Sequence, residues 1–177
     1  HQVVLQELRK VQQEHALNIR DVGFLPESEM HRRAAGMSPY EMGHDPKKYP
    51  MEKIMEMAEL ASSLKPDVMP KLKNGLKDDD GVVRYWAALG FVMRGTSAVG
   101  SVREELHAVL KDESPAVRIA AGRALGMYGN NEDLTLALAV LKELVSPEKN
   151  GAYVAMEALN VVDALGKKAE GLRDFLK

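Results

Sequence analysis

The chain has no cysteine, which excludes disulfides, thiolate nucleophiles and Cys-based zinc sites. It has no unbroken apolar run of the roughly 18 residues needed to cross a bilayer. Aromatic residues make up only 5% of it, with a single Trp, so a core must be built from aliphatic side chains and alanine. An excess of one charge is lacking too. Lys and Arg number 24 against 26 Asp and Glu, a balance that offers no basic surface for many phosphate contacts and implies no nucleic-acid partner. His1, His15, His31, His44 and His107 do not pair at metal-ligand spacing, and there is no HExxH. Asp78-Asp79-Asp80 lacks the alternation and the glutamate of a calcium loop; it places negative charge at the start of the following helix instead. Gly90 to Thr96 has the spacing of a phosphate-binding loop but not its lysine, and it follows no strand. These residues imply no metal, cofactor or catalytic set, so the chain is not expected to be an enzyme.

What is present is a repeat. LKDDDGVVRYWAALGFVMRG, Leu76 to Gly95, returns as LKDESPAVRIAAGRALGMYG, Leu110 to Gly129. Leu76 falls on Leu110, Asp78 on Asp112, Arg84 on Arg118 and Ala87 on Ala121, each 34 residues on. That period, with helical patterning inside each copy, marks a stacked array of helix pairs whose copies need neighbours on both sides. The expected fold is all-α: an α-α superhelix of helix pairs preceded by an N-terminal helix and an irregular strap. The pairs are predicted at 51–62 with 66–77, 81–94 with 98–111, and 115–128 with 132–145, helped by the Ser114-Pro115 helix start. A degenerate third copy, 151–165, precedes a short closing helix, 167–176, with Lys167, Lys168, Glu170, Arg173 and Asp174 facing water. Ala87, Ala88, Ala120, Ala121, Ala124, Ala155 and Ala158 allow close helix approach, with Val83, Val117, Leu89 and Leu125 in the seams.

In each copy an Asp in the turn precedes an Arg in the next helix by six residues. Stacking is expected to set Asp78, Arg84, Asp112 and Arg118 into a structural ladder of bidentate pairs. The third copy carries Ser146 and Val154 near those places, so the ladder should stop there. Tyr85 and Trp86 are neighbours on a helix and point to different faces, one to the core and one to a contact surface.

Residues 1–50 read as a separate region from the repeats at 51–177. A helix over 2–18 leads into residues 21–50, where Pro and Gly are dense enough to break regular structure. Yet Phe24, Leu25, Tyr40 and Tyr49 lie there, too many large apolar groups for a free linker. They are candidate interface residues, with the strap packed on the first helix pair on one side and on an upstream domain on the other.

The string D-x-x-x-x-V-R followed by small residues and a glycine resembles HEAT-type repeats, carried by Val83-Arg84 and Val117-Arg118. RDVGFLPESEM (Arg20–Met30), RAAGMSPYE (Arg33–Glu41) and KKYPMEKIMEMAELAS (Lys47–Ser62) resemble the region that follows the catalytic domain in a group of bacterial formylglycine-dependent sulfatases. The resemblance implies a C-terminal, non-catalytic HEAT-like module of a sulfatase, a sulfuric ester hydrolase, bracing or gating the catalytic domain upstream in cis. It implies a periplasmic or secreted setting. The opening at His1 rather than Met, directly in a helical pattern, is expected of a fragment or a mature form. The catalytic signature C/S-x-P-x-R has no match here, so no catalytic residue carries over. The alternative reading is a free-standing HEAT-repeat module that binds another protein through its concave face.

Overall fold

The computed structural model describes residues 1–172 and 175. Among them there are helices and turns and no strand. The first helix, α1 (Gln2–Ile19), ends at Arg20 in the left-handed conformation, φ 54°. Arg20 donates through its guanidinium to the carbonyls of Gly43 and Tyr49, each at 2.8 Å, which fastens that end of α1 to the strap. The strap is more regular than its composition predicts. It holds a 3-10 turn at Val22–Phe24 capped by Asp21, then α2 (Glu27–Arg33) and α3 (Pro39–Gly43). Pro26 directly precedes α2 and Pro39 is the first residue of α3, behind a Ser38/Glu41 capping box. Proline is tolerated there because the first N–H groups of a helix have no partner within it. The prolines open helices here.

The array follows. Pro50 caps α4 (Met51–Ser62), and a 3-10 turn at Pro66–Val68 leads into α5 (Met69–Gly75). Asp80 caps α6 (Gly81–Arg94) by accepting from the N–H groups of Val82 and Val83, and Gly95 ends it at φ 77°. The helix predicted over 98–111 is two: α7 (Thr96–Ser101) and α8 (Arg103–Val109). The break falls at Val102, which is buried together with Val99 and Leu106. Bending there lets both short pieces turn their apolar sides inward. Next come α9 (Pro115–Tyr128), α10 (Asn131–Leu144), the single turn α11 (Pro147–Asn150) and α12 (Ala152–Leu165). The closing segment is a 3-10 run, Gly166–Leu172. Lys167 and Glu170 are exposed; Lys168, also exposed, reaches back to the carbonyls of Gly126 and Met127. Arg173 and Asp174 lie outside the described residues.

Helices α4, α6, α9 and α12 pack side by side as one layer, and α5, α8 and α10 line the other side of it. The seams are made of alanine: Ala87, Ala88, Ala120, Ala121, Ala124, Ala155 and Ala158 are all buried. At Gly90 a Cβ would lie 3.0 Å from the Leu72 methyls and 3.3 Å from the Ala61 Cα. Glycine there lets α6 approach α4 and α5 closely. Val83, Val117 and Leu125 are buried, whereas Leu89 is only half-buried.

Two clusters run along the array. A third joins Ala16, Leu25, Ala34, Met42 and Tyr49 of the N-terminal region to Met51, Ile54, Val82 and Val83 of the array. Each large apolar side chain so buried contributes roughly 1.5–3 kcal/mol. Leu25 and Tyr49 therefore belong to the core and cannot line an outward interface. Their size among prolines reflects packing on the array.

Candidate functional site

The repeated Asp and Arg residues meet across the stack. Arg84 donates through Nε and Nη2 to both oxygens of Asp112, at 2.6 and 2.8 Å, and through Nη1 to the Asp78 carbonyl at 2.8 Å. The pairing holds the Arg84 pKa above its ordinary value, the hydrogen bond it donates to Asp112 being the largest cause. Each turn aspartate also accepts from the N–H two residues on: Asp78 from Asp80 and Asp112 from Ser114. Arg118 finds its own carboxylate. Its guanidinium meets Glu143 bidentately at 2.7 and 3.1 Å, so the ladder runs one rung further than the expected stop. Ser146 replaces the in-register aspartate, and a residue three positions earlier on α10 supplies the anion. At the other end, Asp78 takes the ammonium of Lys53 at 2.7 Å.

The strap is riveted across the α4/α6/α9/α12 layer by polar contacts the sequence did not reveal. Trp86 Nε1 donates to the Phe24 carbonyl at 2.8 Å. Arg33 meets Asp80 bidentately, both bonds 2.9 Å, and also donates to the Lys48 carbonyl. Glu29, fully buried, accepts from Arg32, from Arg33 and from the Ser114 hydroxyl. Ser114 was expected to cap α9, yet its hydroxyl serves Glu29 and makes no cap bond. Further on, Ser28 donates its N–H and hydroxyl to the two oxygens of Glu157, and the His31 ring stacks on Tyr153 at 4.1 Å. One signal was available beforehand. Glu29, Arg32 and Arg33 stand at helical spacing, which pairs charges on one face, but nothing in the sequence says that face is inward.

These contacts set the electrostatics. Burial pushes the Glu29 carboxyl up, but hydrogen bonds from Arg32 and Ser114 and the charges of Arg32 and Arg33 outweigh it, leaving it below the usual 4.5. Asp80 behaves alike: burial raises it, and Arg33 with the α6 N–H groups brings it below the usual 3.8. Glu157 goes the other way. Burial raises it, Ser28 lowers it, and the charges of Glu29 and Glu27 add to the rise.

A family model for HEAT repeats matches residues 69–161, just over half of the chain. The chain belongs to the HEAT-repeat family. No curated protein and no solved structure matches it. HEAT repeats point to a protein-interaction or scaffold module, and here the array carries its own strap over one layer. Among the described residues no helix is long and apolar enough to cross a membrane, and no three His, Asp or Glu side chains gather as a metal set.

Exposed apolar side chains run along α1 of this HEAT protein. Val3, Val4, Leu5, Leu8, Val11 and Ile19 are each 50 to 67% exposed. With 3.6 residues per turn, Val4, Leu8, Val11, His15 and Ile19 share one side of the helix. Gln13, Ala16 and Leu17 occupy roughly the opposite side, where Ala16 and Leu17 join the strap core and Gln13 meets Glu59. Among the interface candidates, Tyr40 is exposed at 72%, tilted against His44, while Phe24 is half-buried beside Trp86.

Proposed function

We propose that this HEAT module is non-catalytic and forms the C-terminal part of a formylglycine-dependent sulfatase. In that reading α1 lies against the catalytic domain, and the array braces it or shapes access to it. The observation that carries the proposal is the apolar row Val4, Leu8, Val11 and Ile19, exposed along a helix whose C-terminal end alone is anchored among the described residues, through Gln13, Ala16, Leu17 and Arg20. A contiguous apolar face of that kind marks an interaction surface. The strings Arg20–Met30, Arg33–Glu41 and Lys47–Ser62 resemble the post-catalytic region of sulfatases, and that resemblance is the reason for choosing a sulfatase catalytic domain as the partner. The parent protein would then be periplasmic or secreted.

The test is the reading frame upstream of His1, followed by expression of the continuous protein. The expected result is a C/S-x-P-x-R signature upstream, a cleavable signal peptide, and amide exchange of residues 2–12 slowed at least tenfold in the continuous protein relative to this chain alone. An upstream frame lacking that signature overturns the sulfatase parent. Unchanged exchange on α1 overturns the bracing contact and favours the free-standing protein-binding module. Turnover of an aryl sulfate by this chain alone, after contaminants are removed, would refute the non-catalytic assignment.

A further inference from the structure

Between the strap and the array lies a cavity of about 470 Å³, within the range of small-molecule pockets. Pro26 and Glu27 of the strap form its lip, and Tyr85, Leu89, Ile119, Ala120, Arg123, Glu157, Asn160 and Val161 form its floor and sides. The repeat register places Leu89, Arg123 and Glu157 at one equivalent position, each 34 residues after the last. That position holds an apolar residue, a cation and an anion in turn. Leu89 packs on the array core and Glu157 holds Ser28, whereas Arg123 serves neither contact.

The polar groups around this cavity divide into engaged and free. Both oxygens of Glu157 accept from Ser28, and Glu27 faces His31 at 3.8 Å. Arg123 has no hydrogen bond or ion pair among the described residues, and its Nε is buried without a partner. The Tyr85 hydroxyl and the exposed Asn160 side chain also make no hydrogen bond among the described residues, but of these groups only the Arg123 Nε is buried and unpaired. A buried donor left unsatisfied costs the full loss of its hydration, so such a group calls for an explanation. The free groups are all able to donate, and one of them is a guanidinium shaped for a carboxylate. Beside them, Leu89, Ile119, Ala120 and Val161 provide an apolar wall.

We propose that this cavity is a binding site for a small organic carboxylate with an apolar body. The carboxylate takes the Arg123 guanidinium, with the Tyr85 hydroxyl and Asn160 amide as further donors, and the apolar body lies on Leu89, Ile119 and Val161. The Glu157 charge nearby works against an anionic ligand, so removing it strengthens binding. The site is independent of α1 and of any sulfatase parent.

The experiment is a titration of the ¹⁵N-labelled chain with 3-phenylpropanoate and, separately, with its neutral amide, 3-phenylpropanamide. The expected result is millimolar or tighter binding of the carboxylate, with shifts at Tyr85, Arg123 and Asn160 and affinity at least tenfold above that of the amide. Arg123→Met should remove that preference, and Glu157→Gln should raise carboxylate affinity several-fold. Circular dichroism checks that each variant folds; if Arg123→Met does not, the comparison of carboxylate with amide on the unmodified chain decides. Absence of binding, equal affinity for the two probes, or a carboxylate affinity indifferent to Arg123→Met overturns the proposal.

Discussion

At the scale of single residues, the charged groups that matter are those the fold has desolvated and fully paired. Arg84 and Asp112 are about 10% and 7% exposed at their side chains. Removing one partner of such a pair strands the other, which costs more than the pair contributes. Asp112→Ala is expected to destabilise the chain by roughly 3 kcal/mol, softened by the carbonyls of Asp78 and Asp79 that still hold Arg84. Urea denaturation measures it, and a loss within the error of the midpoint would show the ladder to be ornamental. Acid acts on Glu29 and Asp80. Their folded pKa values are depressed, so their stabilisation is present above the usual 4.5 and 3.8 and is lost as pH falls through the lower folded values. Glu157, raised by burial, has the opposite sign: its favourable contribution is present below 4.5 and is lost as pH rises through its folded value. Glu29→Gln should therefore lower stability at pH 7 and flatten the acid limb of a stability-against-pH curve.

At the scale of elements, the seams set the tolerance. Ala121 is fully buried where α9 meets its neighbours, and Ala121→Leu is expected to overpack the seam by about 1–3 kcal/mol. An unchanged denaturation midpoint would mean that α9 faces another way. Much of this was legible beforehand. The limits of α4, α6 and α9 follow from Pro50, Gly95 and Ser114-Pro115, because caps and prolines act locally. The break at Val102 was not legible, since its cause is the burial of Val99, Val102 and Leu106 together. Tyr49 and Tyr40 look alike in sequence, yet one is core and the other stands 72% exposed. What separates them is long-range: Tyr49 packs in the cluster with Ile54, Val82 and Val83, and its hydroxyl donates to the Asp21 carbonyl. The cavity was hidden for a related reason. Arg123 reads as a surface charge on an amphipathic helix until the strap is laid over it.

At the scale of the molecule, the N-terminal region and the array form one core. Ala16, Leu25, Met42 and Tyr49 share a cluster with Met51, Ile54, Val82 and Val83. Deleting residues 1–49 would expose that surface together with Asp80, which would lose Arg33. The truncated array is expected to lose several kcal/mol, to bind a hydrophobic dye and to tend toward aggregation. Calorimetry of the truncated chain checks this, and an unchanged melting temperature would show the strap to be a passenger.

The bond from Ser28 to Glu157 joins residues 129 apart in sequence. An array held only by nearest-neighbour seams can fray from either end, one copy at a time, because each copy feels only the copy beside it. The strap adds a second path between distant copies, from α6 at Trp86 and Asp80, past Ser114, to α12 at Tyr153 and Glu157. A ladder with a splint fixed at several rungs cannot lose its last rung alone. Loosening the final copy means releasing Ser28 and His31, which slackens the grip on Ser114 of Glu29, the residue between them on α2 that directly follows Ser28. Folding is slowed in exchange, since that circuit closes only after most of the chain is in place. What would otherwise be a row of loosely coupled units becomes one cooperative body.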